Sequence, residues 1–139
     1  MKLAPGLAVR PSPITGRGCF ATTFFPERRK IAEYTGERIA RAEVARRVRT
    51  RKHGVLRICA IDYYWSVDGS RGGNGTHYVN HSCRPNAYMR TTGKRVLVMA
   101  LRDIKAGEEI TIDYGTTAHP DTKRCFCKAP NCRGTINKS

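Results

Sequence analysis

Asn80-His81-Ser82-Cys83-Arg84-Pro85-Asn86 is the stretch around which the chain is organised. It packs amide, imidazole, hydroxyl and thiol groups side by side, and Pro85 keeps a helix from running through it. Two later segments answer it: Asp113-Tyr114, and the cysteines at 125, 127 and 132. The residues before it read as scaffold, and those after it read as the other half of one site.

Working outward, Gly69-Ser70-Arg71-Gly72-Gly73-Asn74-Gly75 on the upstream side is too rich in glycine for a regular element. Downstream, Ala87–Arg90 and 95–101 read as strands joined across Thr91-Thr92-Gly93-Lys94. Lys105-Ala106-Gly107-Glu108 is a turn, and 109–114 is a final strand. Further upstream, 55–62 and 63–68 are two β-rich runs, and 30–34 is a short strand. The glycines flanking Arg17 fit a hairpin turn, because a third glycine and a following helix are both missing. Ile39, Ala42, Ala45 and Val48 recur every third residue, which predicts a short amphipathic helix over 38–49. Its other face is dense in arginine and runs on to about residue 53. The expected class is therefore mostly β, with short strands and one or two short helices.

Cys125-Phe126-Cys127-Lys128-Ala129-Pro130-Asn131-Cys132 brings three thiols close enough to share one tetrahedral ion. Cysteines one residue apart pair poorly as disulfides, so the spacing favours zinc. The fourth ligand stays open on spacing alone, among Cys83, Cys19, Cys59, His81 and His119. Cys19 and Cys59 sit in apolar, strand-like surroundings and read as packed small hydrophobes.

Lys and Arg number 26 against 11 Asp and Glu, a net charge of +15 over 139 residues. Such a surface attracts polyanions, so nucleic acid or an acidic protein is a candidate partner through the basic helix. The first residues are broken by Pro5 and Gly6 and do not read as a signal peptide, and no run approaches membrane-spanning length. The expectation is an intracellular monomer that does not engage membranes, in a compartment where clustered thiols hold metal.

Taken in order, five motifs resemble those of SET-domain protein lysine methyltransferases. They are Gly16-Arg17-Gly18-Cys19-Phe20, Tyr34-Thr35-Gly36-Glu37, Gly73-Asn74 with Asn80–Asn86, 108–114, and the post-SET tail from Cys125 to Gly134. The resemblance runs from about Arg10 onward, and the compact length is similar to stand-alone bacterial members, which would place the protein in a cytoplasm. It implies the β-clip fold: several small curved antiparallel sheets around a pseudoknot, with a zinc-bound C-terminal tail. A SET domain would occupy 8–118, with the basic helical insert at about 38–53, and the tail 119–139.

By matching position, the resemblance assigns S-adenosylmethionine to Arg17, Gly18, Cys19, Phe20, Asn80, His81 and Tyr114, with S-adenosylhomocysteine as product. Cys83 would complete one structural zinc site with Cys125, Cys127 and Cys132. Tyr114 and Tyr34 would be the catalytic tyrosines, lining a lysine channel with Tyr88, Met89 and Ile112. The chemistry suits those residue types, because a lysine ammonium with a pKa of about 10.4 must lose its proton before it can attack. An aromatic channel that strips water from the amine disfavours its charged form. Ile112 stands where the family usually has Phe or Tyr, which implies methylation beyond the first methyl unless Tyr88 or Met89 fills the gap. Arg57 falls where an aromatic is frequent, His77 where an arginine is common, and Phe126 or Ile136 would serve as a lid. The expected activity is methyl transfer to lysine in a histone or another basic, nucleoid-type protein. The other reading is a catalytically weak SET scaffold that binds nucleic acid or protein through charge.

Overall fold

The computed structural model describes residues 1–50, 57–114 and 124–135. Its strands run in order as β1 (Leu7–Pro11), β2 (Arg17–Ala21), β3 (Lys30–Glu33), β4 (Glu37–Ala40), β5 (Ile58–Ala60), β6 (Trp65–Asp68), β7 (Asn80–His81), β8 (Ala87–Thr92), β9 (Arg95–Ala100) and β10 (Glu109–Ile112). Helix α1 (Arg41–Thr50) follows β4, and a single 3-10 turn, Thr76–Tyr78, precedes β7. They form three small sheets, ordered β1-β2-β10-β7, β3-β9-β8 and β4-β6-β5.

The first sheet positions the site. Ser12 donates its amide to the carbonyl of Gly16 at 2.8 Å, closing the hairpin that joins β1 to β2. β10 pairs with β2 through Glu109 opposite Phe20 and Ile110 opposite Cys19. On its other edge β10 lies parallel to β7, with Thr111 opposite Asn80 and Ile112 opposite His81. Among otherwise antiparallel pairings this parallel pair sets the C-terminal strand beside Asn80–His81, as a pseudoknot requires. Cys19, Val98, Ile104 and Ile110 are fully buried, so the core lies where this sheet meets the β8–β9 hairpin. The hairpin turns on Gly93-Lys94 alone, since Thr92 already pairs with Arg95.

The expected helix over 38–49 begins too early. Residues 37–40 are β4, paired to β6 from Glu37–Asp68 to Ala40–Trp65, and Ile39 is a buried strand residue. No α1 side chain is buried; Ala42 and Ala45 are exposed, and Val44 and Val48 are half-buried. Arg47 instead fixes the helix, its guanidinium meeting Glu37, Glu43 and Asp68 at 2.7 Å each. An ion-paired anchor thus replaces the apolar stripe read from the period. Residues 51–53 of the expected insert, and the 118/119 boundary, lie outside the described residues. Packing starts ahead of residue 8, because Leu7 is buried and the Ala4 amide donates to Asn74 O at 3.0 Å.

Asn86 closes the loop onto β10. Its Nδ2 donates to the Glu109 carbonyl at 2.8 Å, and its Oδ1 accepts from the Thr111 amide at 2.9 Å. The side chain is almost wholly buried, so nothing else can satisfy both backbone groups. Asn86→Ala is expected to lower the unfolding free energy by about 2–4 kcal/mol, read from urea midpoints at constant slope.

Candidate active site and metal centre

Asn80 and His81 enter the site as a two-residue strand whose side chains are both buried. Asn80 Nδ2 lies 2.9 Å from Glu109 Oε2 and 3.2–3.3 Å from the carbonyls of Arg17 and Thr15. Glu109 also accepts from the Ser12 hydroxyl at 2.9 Å, so one carboxylate joins β10, the first hairpin and Asn80. Gly18 leaves room for it; a Cβ there would sit 2.2 Å from Glu109 Oε2. Arg17 is exposed and Phe20 half-buried, while the Cys19 side chain is fully buried and turned to the core. Burial, and then the charge of Glu109, push the Cys19 thiol up to about 12.

His81 Nδ1 accepts the Tyr114 amide at 3.0 Å, which leaves the ring proton on Nε2, 3.4 Å from Cys83 Sγ. Asp113 Oδ1 is also 3.7 Å from Nδ1, but an accepting Nδ1 makes no ion pair. Burial lowers the His81 pKa, which keeps the ring neutral, and Arg133 holds the Asp113 carboxylate through two hydrogen bonds of 2.9 and 3.2 Å.

The Tyr114 hydroxyl donates to Val79 O at 2.6 Å, and the Tyr34 hydroxyl donates to Arg57 O at 2.7 Å. Burial pushes the Tyr114 phenol up to about 12, with Arg57 pulling back and Glu109 adding slightly. Tyr34 is raised further, by burial first and then by the neighbouring Cys59 and Tyr114. Both phenols are therefore neutral donors near pH 7, unsuited to act as bases. Arg57 spans the pair: its guanidinium donates to His77 O and lies 4.4 Å from the centroid of the Tyr78 ring. Ile112 is buried at the end of β10. Tyr88 and Met89 are successive strand residues and face opposite ways: Met89 packs on the core, and Tyr88 lies 6.0 Å from the Arg28 guanidinium. Only one of the two is turned toward the core that holds Ile112. Phe126 is half exposed, with Arg124 5.1 Å from its ring centre, and Ile136 lies outside the described residues.

The sulfurs of Cys83, Cys125, Cys127 and Cys132 all lie within 4.8 Å of one another. None forms a disulfide. The Cys83–Cys125 separation of 3.9 Å is close to the edge of about 3.8 Å expected for four thiolates at zinc distance. Backbone amides of Cys83, Cys127, Arg133 and Gly134 point at these sulfurs at 3.4 Å, as stabilisation of thiolates requires. At Cys127 burial pushes up, but the amides of Cys83 and Ala129 and the neighbouring thiols bring it down to about 6, whereas burial first pushes Cys83 up and Cys125 up to about 12. Asn131 Nδ2 donates to Cys83 O at 3.1 Å, so the tail grips the same loop by a second contact.

Sequence reasoning gave no role to Glu109, Asn86, Arg57 or the Arg133–Asp113 pair. The last had a signal, since opposite charges adjoin Cys132 at one end and Tyr114 at the other. Arg57 had one as well, as a cation in a run of strand-forming apolar residues.

A β-rich scaffold that lays its final strand beside an Asn-His pair and ends in four clustered thiols defines a narrow class. Residues 16–115 match the family described as SET domain, and the chain belongs to that family. It is 38% identical over 135 residues to the H3 lysine-4 specific histone-lysine N-methyltransferase of Schizosaccharomyces pombe, covering 91% of this chain and 15% of that protein. It is 33% identical over 133 residues to the histone-lysine N-methyltransferase set-2 of Caenorhabditis elegans, covering 91% and 9%. Against the H3 lysine-4 specific enzyme of Saccharomyces cerevisiae it is 35% identical over 137 residues, covering 91% and 13%. The chain therefore spans less than a sixth of the length of these curated relatives. No described helix is long and apolar enough to cross a membrane.

His77 is buried with Nδ1 unpartnered, and Gly73 packs so close that a Cβ would fall 2.3 Å from that atom. Burial and then the Arg57 charge lower its pKa, with Asp68 opposing. A lowered folded pKa means that the unfolded chain binds the extra proton first, so this stabilisation is complete above about pH 6.5 and lost as pH falls through the folded value. The urea midpoint is expected to drop from about pH 7 to about pH 5, and His77→Gln to flatten part of that slope.

Proposed function

We propose that this chain is a protein-lysine N-methyltransferase that uses S-adenosylmethionine and carries one structural zinc. The observation that carries the reading is the pair of neutral, fixed tyrosine hydroxyls, Tyr34 and Tyr114, with Tyr114 held by His81 and Val79 beside the Asn80 strand. S-adenosylmethionine, when bound, would supply an electrophilic methyl group, with S-adenosylhomocysteine as the product. Asn80, His81, Tyr114 and the 17–20 strand with Arg17, Gly18, Cys19 and Phe20 are the residues that would hold it. Cys19 would contribute through backbone alone, because its side chain belongs to the core.

The tyrosines orient rather than ionise. Their rings accept the incoming ammonium, and their apolar surroundings disfavour its charge as water is shed. The ammonium would give its proton to solvent, which leaves its lone pair free to take the methyl group that the cofactor would supply. Positioning supplies most of the rate, because neither tyrosine at the site has the basicity for more. Ile112 brings no hydroxyl to the channel, so the enzyme proceeds beyond the first methyl unless Met89, on the same core, fills the gap. The names of the relatives support a histone-like basic substrate. Clustered, unpaired thiols support an intracellular setting.

The net charge and the solvent-facing α1 favour a second reading, a non-catalytic module that docks on nucleic acid or acidic protein. Labelled methyl transfer to a host extract separates the two, since a module transfers none. Tyr114→Phe is expected to cut kcat by roughly a hundredfold or more while cofactor affinity, read by calorimetry, changes little. Unchanged turnover refutes the assignment of Tyr114. Mass spectra that stay monomethyl at long times refute the role given to Ile112. Chelating the metal is expected to weaken both cofactor binding and transfer, because Cys83 joins the tail to the His81 loop.

A further inference from the structure

The turn between β5 and β6 carries an aromatic cluster that the site leaves unused. Tyr63 is 70% exposed, Tyr64 68% and Trp65 38%, adjacent in sequence and open to solvent. A cluster of that size on an outer turn burdens solubility unless something covers it. It is also rigid. The Asp62 carboxylate accepts the amides of Tyr64 and Trp65 at 2.9 Å and meets Lys94 Nζ at 3.2 Å, which pins the tip to the β8–β9 turn. The two tyrosine rings meet edge to face at 5.1 Å.

Cations surround the tip. Arg41 lies 4.0 Å over the Tyr63 ring, and its amide donates to Tyr64 O. Arg38 donates to Lys94 O at 3.1 Å, which sets a third positive group on the same rim. Neither Arg38 nor Arg41 has an acidic partner among the described residues, and the one acid at the tip, Asp62, is already engaged. Positive charge in excess, with flat rings held at fixed spacing, is the chemistry that takes phosphates and stacked bases together. An acidic peptide would use the arginines and leave the ring faces without purpose, and a duplex hides its base faces.

We infer that the Tyr63-Tyr64-Trp65 tip, rimmed by Arg38, Arg41 and Lys94, is a docking surface for single-stranded nucleic acid. It goes beyond the methyltransferase reading and does not depend on it, because no residue of the tip belongs to that site. Trp65 is the only tryptophan in the chain and reports on the surface directly.

The test titrates the full chain with a short oligothymidylate, following Trp65 emission and the anisotropy of the labelled strand. Binding is expected to quench Trp65 and to weaken steeply with salt. The Tyr63→Ala/Tyr64→Ala double variant should lose about tenfold or more in affinity with its salt slope kept. Arg41→Ala should lower that slope by about one. Tyr64→Phe, which keeps the ring, should bind as the parent does. Circular dichroism verifies that the variants are folded, as expected for side chains this exposed. Equal affinity in the double variant, or equal binding of a duplex or of polyglutamate, overturns the proposal. Methyl-transfer assays on the same proteins report separately on the catalytic reading.

Discussion

The parallel contact between Thr111-Ile112 and Asn80-His81 is the constraint on which the rest of the structure depends. β10 is short, yet it pairs on both edges and receives both side-chain hydrogen bonds of Asn86. Its Glu109 carboxylate ties Ser12 and Asn80 together, so three distant parts of the chain converge on four residues. Take away that strand and the first hairpin loses its neighbour, Asn80 its carboxylate acceptor and Tyr114 its position. Two neutral donors, the Ser12 hydroxyl and the Asn80 amide, fill the lone pairs of this half-buried carboxylate.

From that strand the electrostatics of the site follow. Tyr114 leaves β10 directly, its amide captured by the neutral imidazole of His81, which then faces the Cys83 thiol with its remaining proton. The same ring thus reads the position of Tyr114 on one side and the state of the cysteine cluster on the other. Burial raises both phenols, so the site offers hydrogen-bond donors and apolar surface in place of a base. That arrangement suits a reaction whose electrophile is already activated and whose nucleophile needs only to be stripped of water and aimed.

Much of this was legible in the sequence, and the reasons differ by element. Turn residues and alternating apolar runs located β3, β8 and β9, because local chemistry decides hairpins. The cysteine spacing announced a shared ion, though only the family motif singled out Cys83. The helix boundary was misjudged because Ile39 satisfies a three-residue period and a strand alternation equally well, and pairing with β6 decided between them. Arg47 was invisible as an anchor, since its partners Glu37 and Asp68 lie on two strands of a sheet no local pattern specifies. The parallel register of β7 with β10 was out of reach for the same reason: two residues carry no periodicity.

The position of β10 in the chain also fixes when the site can exist. Synthesis proceeds from the N-terminus, and β1, β2, β7 and the β8–β9 hairpin are all made before Glu109 emerges. Until then the strand slot between β2 and β7 is open, Asn86 has no backbone to hold, and Tyr114 is not yet part of the protein. The thiols of the tail come later still, after their partner Cys83 has waited through some forty residues, as its separation of 42 from Cys125 records. The strand that completes the site is thus made after every element it pairs with.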